Sequence, residues 1–280
     1  TAVAMSRNFA NQGYNVLWVT TKKLMSEGPW KNVFKKICDG HIANMFNEGT
    51  TIPYALGDRA KAVAKFVPHF TEPMTHINLT NAIEPSSTPK AKSKIRNTRS
   101  SGATSKDPLY KTLIIIDEAH KMYDNLDLNQ NQRANMVEFE KAIRNSYSMS
   151  GENSCKLLLL TATPIVEHAI YFCNVLNLLI DAPKDGMLPQ VDMGKIRSIH
   201  TTYQKKVDEE TRNNLIKKEI ERTNQLFRET YGLNAANQFS TEGKTEFQNT
   251  IKGLVSYLDY SNDPQTFALK KKTVLQVKRD

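Results

Sequence analysis

One stretch constrains this chain more than any other. Leu113-Ile114-Ile115-Ile116 runs straight into Asp117-Glu118-Ala119-His120. Consecutive aliphatic residues suit a strand covered on both faces, as in a parallel sheet. Such sheets collect their chemistry just beyond the carboxyl ends of their strands. Here that end carries two adjacent carboxylates. The first suits Mg²⁺, which takes oxygen ligands and keeps much of its water. The second is then placed to orient or deprotonate an attacking water. The competing reading is an exposed acidic turn after a core strand, with His120 bonded locally.

A second apolar run, Leu157-Leu158-Leu159-Leu160, leads into Thr161-Ala162-Thr163-Pro164. It reads as another buried strand, followed by small hydroxyl residues and a proline that starts a helix. Upstream, the pattern predicts a helix over 2–12 ended by Gly13, and a strand over 14–20. Helices are also expected near Trp30–Phe34, over Arg59–Phe66, over Met136–Tyr147, and from the Thr-Ala-Thr segment to about Ile180. Asp124–Gln132 reads as a loop. Alternating strands and helices predict an α/β fold with a parallel sheet flanked by helices. From about Ile196 the texture changes. Lys205–Arg228 is highly charged, with Val207, Leu215, Ile220 and Phe227 spaced as one helical face. A shorter helix is expected near Lys244–Leu258, so the chain closes with a C-terminal helical extension. That extension either packs on the first domain or stands as an accessory element.

Residues 84–106 are rich in Ser, Thr, Pro and basic residues and nearly free of large apolar ones. They read as a mobile insert that cannot bury enough surface to order itself. Lys90, Lys92, Lys94, Arg96, Arg99 and Lys106 either attract phosphates or simply solvate the loop. Across 280 residues the net charge is +9, which favours a polyanionic partner and says nothing of the fold. Cys38, Cys155 and Cys173 lack paired spacing and read as reduced thiols of a cytoplasmic protein. His41, His69, His76, His168 and His200 show no ligand spacing, so no Zn²⁺ site is expected. No apolar run approaches membrane-spanning length, so no membrane partner is expected.

The two strand-and-loop segments resemble motif II (Asp117-Glu118-Ala119-His120, the Walker B motif) and motif III (Thr161-Ala162-Thr163) of superfamily 2 helicases. Tyr14-Asn15-Val16-Leu17-Trp18-Val19-Thr20-Thr21 is similar to motif Ia. Pro73-Met74-Thr75-His76, Asp107-Pro108-Leu109-Tyr110-Lys111-Thr112 and Ile251-Lys252-Gly253-Leu254-Val255-Ser256-Tyr257-Leu258 resemble one viral branch of that superfamily. The branch is the helicase-like nucleoside triphosphatases of nucleocytoplasmic large DNA viruses, with the poxvirus early transcription factor small subunit and nucleoside triphosphatase I among them. The resemblance implies a RecA-like domain of the P-loop type over 1–195, a helical accessory element over 196–270, and the start of a second RecA-like domain over 271–280. It implies ATP and Mg²⁺ as cofactors and DNA or RNA as partner. Viral RNA polymerase or transcription-factor subunits are further partners it suggests. The host cytoplasm, virus factory or virion is the location it suggests.

The resemblance assigns roles residue by residue. Asp117 holds Mg²⁺, Glu118 handles the water, and His120 bridges motif II to motif III or to the second domain. Thr161, Ala162 and Thr163 couple nucleotide state to movement, while capping a helix before Pro164 is the simpler role for the threonines. Thr20, Thr21, Lys22 and Lys23 follow a strand end, where they either grip a nucleic-acid backbone or, for the two lysines, belong to a solvated loop. Trp18 reads as core rather than a base-stacking platform, and Trp30 stays open. One departure stands out: Gly-x-Gly-Lys-Thr, the Walker A loop that cradles phosphates, does not occur. The reading adopted is that the sequence begins just inside that motif, with Thr1 as its Mg²⁺-binding hydroxyl. An arbitrary start, with Thr1 idle, is the alternative. A restriction- or remodeller-type translocase shares this first domain. A nucleic-acid-binding scaffold without catalysis is the rival of another class.

Overall fold

The computed structural model describes residues 2–22, 69, 71, 73–83, 107–124, 126, 133–165, 168–181, 186–204 and 208–256. The expected helices at Trp30–Phe34 and Arg59–Phe66, the basic insert 84–106, Cys38 and residues 257–280 lie outside them.

Helix α1 (Ala2–Asn11) stops at a turn where Gly13 takes φ +78°, a left-handed conformation that glycine adopts without a Cβ clash. Phe9 meets Tyr14 edge-on across this turn, with ring centroids 5.1 Å apart. The chain then enters β1 (Asn15–Thr20). So short a connection makes α1 run back along β1, and its N-terminus is directed toward the carboxyl edge of the sheet. Next come β2 (Met74–Thr75), α2 (His76–Ile83) and β3 (Thr112–Asp117). A short 3-10 turn, Ala119–Met122, precedes α3 (Met136–Ser150), whose first turn is capped by the Asn135 side chain accepting from the Glu138 amide. Then follow β4 (Lys156–Leu160), α4 (Ala169–Asn177), α5 (Met193–Thr202), α6 (Glu209–Thr230) and α7 (Thr241–Ile251).

The four strands form one sheet in the order β2-β1-β3-β4, and every pairing is parallel. This is the α/β architecture that the sequence leads one to expect. Register brings the strand ends level: Thr20 pairs with Thr75, Val19 with Ile116, and Asp117 with Leu160. Side chains alternate across the pleat. Leu17, Val19, Ile114 and Ile116 join a core with Leu79, Ile83, Phe139 and Ile143. Val16, Trp18, Leu113 and Ile115 take the other face, where α1 lies against β1 and β3. Trp18 is therefore core.

Several expectations need correction. The Leu157–Leu160 strand is half-buried along its whole length rather than buried. It borders β3 on one side and pairs with no strand on the other among the described residues. Pro164 does not start a helix, because α4 begins at Ala169 after His168. The buried side of α6 consists of Arg212, Ile216, Glu219, Ile220 and Thr223, while Leu215 and Phe227 are half-buried. Glu219 can sit there because Lys195 and Arg222 both bind its carboxylate.

The C-terminal helices share the core of the sheet's own helices. Ile196, Ile216, Ile220 and Tyr231 belong to one cluster with Ile170, Tyr171, Cys173 and Leu176. Arg197 of α5 also binds Glu138 of α3 at 3.2 Å. Cys155 and Cys173 are buried free thiols, each pushed up to about 12, chiefly by burial. Among the described residues no helix is long and apolar enough to cross a membrane.

Candidate active site at the carboxyl edge of the sheet

Asp117 is the last residue of β3 and lies level with Thr20 on the α1 face. The Thr20 hydroxyl donates to Asp117 Oδ2 at 3.4 Å. His76 follows β2 directly, and its Nε2–H donates to the Asp117 main-chain oxygen at 3.0 Å. Because β1 lies between β2 and β3, the His76 ring reaches over the end of β1 to do so. Burial pushes the His76 imidazole below its ordinary value, more than the bond to Asp117 raises it. The ring is thus neutral near pH 7, with its single proton on Nε2, since a carbonyl only accepts.

Glu118 comes next, at φ 52° and ψ 48°. A glutamate in this left-handed region costs about 1–3 kcal/mol, and such strain collects at functional sites. The bend leads into the 3-10 turn, which buries His120. There His120 Nδ1 lies 2.8 Å from the Thr161 hydroxyl and 3.3 Å from Glu118 Oε2. The neighbouring carboxylate favours Nδ1 as the donor. On the ring's other side Nε2 lies 3.9 Å from Asp124 Oδ2. Thr161 follows the end of β4, and its hydroxyl also accepts from the Thr163 amide at 3.1 Å. Thr161 therefore closes a local turn instead of capping a helix at Pro164.

The structure thus gathers Thr20, Asp117, Glu118, His120 and Thr161 along one edge. It corrects the role expected of Thr20. That residue is fully buried with its hydroxyl on Asp117, so it has no surface to offer a nucleic-acid backbone. Thr21 is half-buried and Lys22 exposed just beyond it. Ala162 and Thr163 are exposed. Thr1 and Lys23 lie outside the described residues. His76 and Asp124 are additions that spacing does not reveal. His76 stands 41 residues from Asp117 in sequence.

One further triplet bears on phosphate binding. Gly243-Lys244-Thr245 carries the closing letters of a phosphate loop at the start of α7. Its amides are already used: Gly243 donates to the Ser240 hydroxyl at 3.0 Å and Lys244 to the Ser240 carbonyl at 2.9 Å. It is a capped helix start rather than an anion cradle. Among the described residues no group of three His, Cys, Asp or Glu side chains could hold a metal by itself. A cation at this edge fits the donors present only as Mg²⁺ often binds, through one or two carboxylates, water and a substrate phosphate. Asp117 supplies the carboxylate.

Comparison of the chain with protein-family models, with curated proteins and with solved structures finds no match.

Proposed function

We propose that this chain is an ATP-hydrolysing domain of a nucleic-acid helicase or translocase. The observation that carries the reading is the pair Asp117–Glu118 at the end of a central parallel strand, with Glu118 strained and joined through His120 to Thr161. A carboxylate pair at that edge suits in-line attack of water on a terminal phosphate. Asp117 would hold Mg²⁺, which neutralises phosphate charge when bound. Glu118 accepts the proton of the attacking water. His120 links Glu118 to the loop after β4, so a change at the reacting end reaches a second strand.

Lys22 is exposed just past the end of β1, where it can meet a phosphate backbone, and the net charge of +9 favours the same partner. On the viral resemblance, transcription is the process served, with polymerase or transcription-factor subunits as neighbours. The test is Glu118→Gln in the full-length protein. ATP binding is expected to persist while turnover falls by about a hundredfold or more. Undiminished turnover would remove Glu118 from its role. A wild-type protein that binds nucleic acid with no nucleotide affinity would instead make the domain a scaffold.

A further inference from the structure

We propose that His76 is a positioning residue for the carboxylate pair: its bond to the Asp117 carbonyl fixes the direction in which Glu118 leaves β3. This rests on the hydrolase reading above. A peptide unit is planar, so the Asp117 oxygen and the Glu118 nitrogen move as one rigid plate. Holding that oxygen therefore constrains φ of Glu118. The plate on the other side of Glu118 is held too, because the Lys121 amide donates to the Glu118 carbonyl at 2.9 Å. With both flanking plates pinned, φ 52° and ψ 48° are imposed on a residue that would otherwise relax to a right-handed or extended form.

The two pins differ in origin. Lys121 lies within the same turn, whereas His76 comes from a separate element. Strand β2 is only two residues long, pairing with Val19 and Thr20. It delivers His76 to the edge, and Leu79 and Ile83 of α2 anchor it in the core. His76 is buried, with 7% of its surface exposed. It acts on the reaction through Glu118 and not by touching substrate. A neutral donor with a long, flat reach suits the task, since a lysine there would bring a charge into a buried place. Without this bond the carboxylates remain, but the second is free to leave its line of attack.

Three variants of the full-length protein test this. His76→Gln keeps an N–H donor at similar reach. His76→Met fills similar volume without a donor. His76→Asn keeps the amide but is too short to reach. His76→Met and His76→Asn are expected to lower kcat by about tenfold to a hundredfold, as small misplacements of reacting groups do. KM and nucleotide affinity should stay within about threefold of wild type, since the bond acts on geometry and not on ATP binding. His76→Gln should recover most of the lost kcat. Thermal unfolding shows which variants fold, and Asn against Gln decides if Met does not. Equal activity of all three variants and wild type would overturn the inference. So would equal losses in all three that track their melting temperatures. A wild-type protein that neither binds nor hydrolyses ATP would sink the hydrolase reading itself, a result distinct from these.

Discussion

Two glutamates, Glu118 and Glu140, show how placement decides what one side chain does. Glu118 is held at an edge by its backbone. Glu140 sits on α3 facing a cleft of about 1030 Å³ bordered by Arg144, Asn177, Asp192 and Arg222. The Tyr123 hydroxyl donates to it at 2.8 Å. Burial dominates and pushes the Glu140 carboxyl up to about 7, against the opposing pull of Tyr123 and Arg144. The folded protein thus keeps a proton that the unfolded chain releases near 4.5. Stability from this group is fully present below that pH and is lost as pH rises through about 7. The loss is on the order of 3 kcal/mol. Glu140→Gln carries no such titration. Urea unfolding at pH 5 and pH 8 should show the variant gaining on wild type at the higher pH, and parallel behaviour would refute the shift. Asp117 and Glu118 were legible as a pair because they are neighbours in sequence. Thr20 was misread because its partner lies 97 residues away, and spacing rules see only local neighbours.

Among the elements, those with a strong period or an apolar run were legible: α1, β1, β3 and α3 fall where the pattern puts them. Less legible was α6, whose buried side includes Arg212 and Glu219. A periodicity argument assigns charged residues to solvent, and it cannot see Lys195 arriving from another helix to meet Glu219. The start of α7 was equally hidden. Gly243 is required there because a Cβ would stand 1.9 Å from the Tyr231 carbonyl oxygen and 2.5 Å from its carbon. Backbone does not yield to such a contact as a flexible side chain would. That approach seats Phe247 against Phe227, Tyr231 and Phe239, with centroid distances of 5.7, 5.3 and 5.6 Å. Gly243→Ala is expected to push α7 off this aromatic cluster at a cost of about 2 kcal/mol or more. A lower melting temperature with loss of near-ultraviolet dichroism is the expected signature. An unchanged melt would mean that α7 docks otherwise.

Over the whole molecule, the parallel sheet could be inferred from its apolar runs, but strand order could not. Order is set by which crossovers pack, and among the described residues β4 occupies a border that its leucines did not announce. The fastening of the C-terminal helices likewise depends on a distant meeting. Glu219 has a fully buried side chain and joins Lys195 of α5 to α6. Lys195→Met with Arg222→Met would leave that carboxylate without a cation; because both cations reach solvent, the cost is about 1–3 kcal/mol, below that of a deeply buried pair. Adding Glu219→Met should recover most of the loss. Denaturant titrations of the double and triple variants check this, and equal stability of the two would show that the carboxylate had found water. The level strand ends carry a consequence for inheritance. One codon gained or lost between Thr112 and Asp117 would slide the carboxylate by about 3.3 Å and turn it to the opposite face of the sheet. The same codon in a surface connection would leave the edge as it is. Natural alleles should therefore differ freely in the length of their surface connections, yet keep a fixed residue count through β1 and β3.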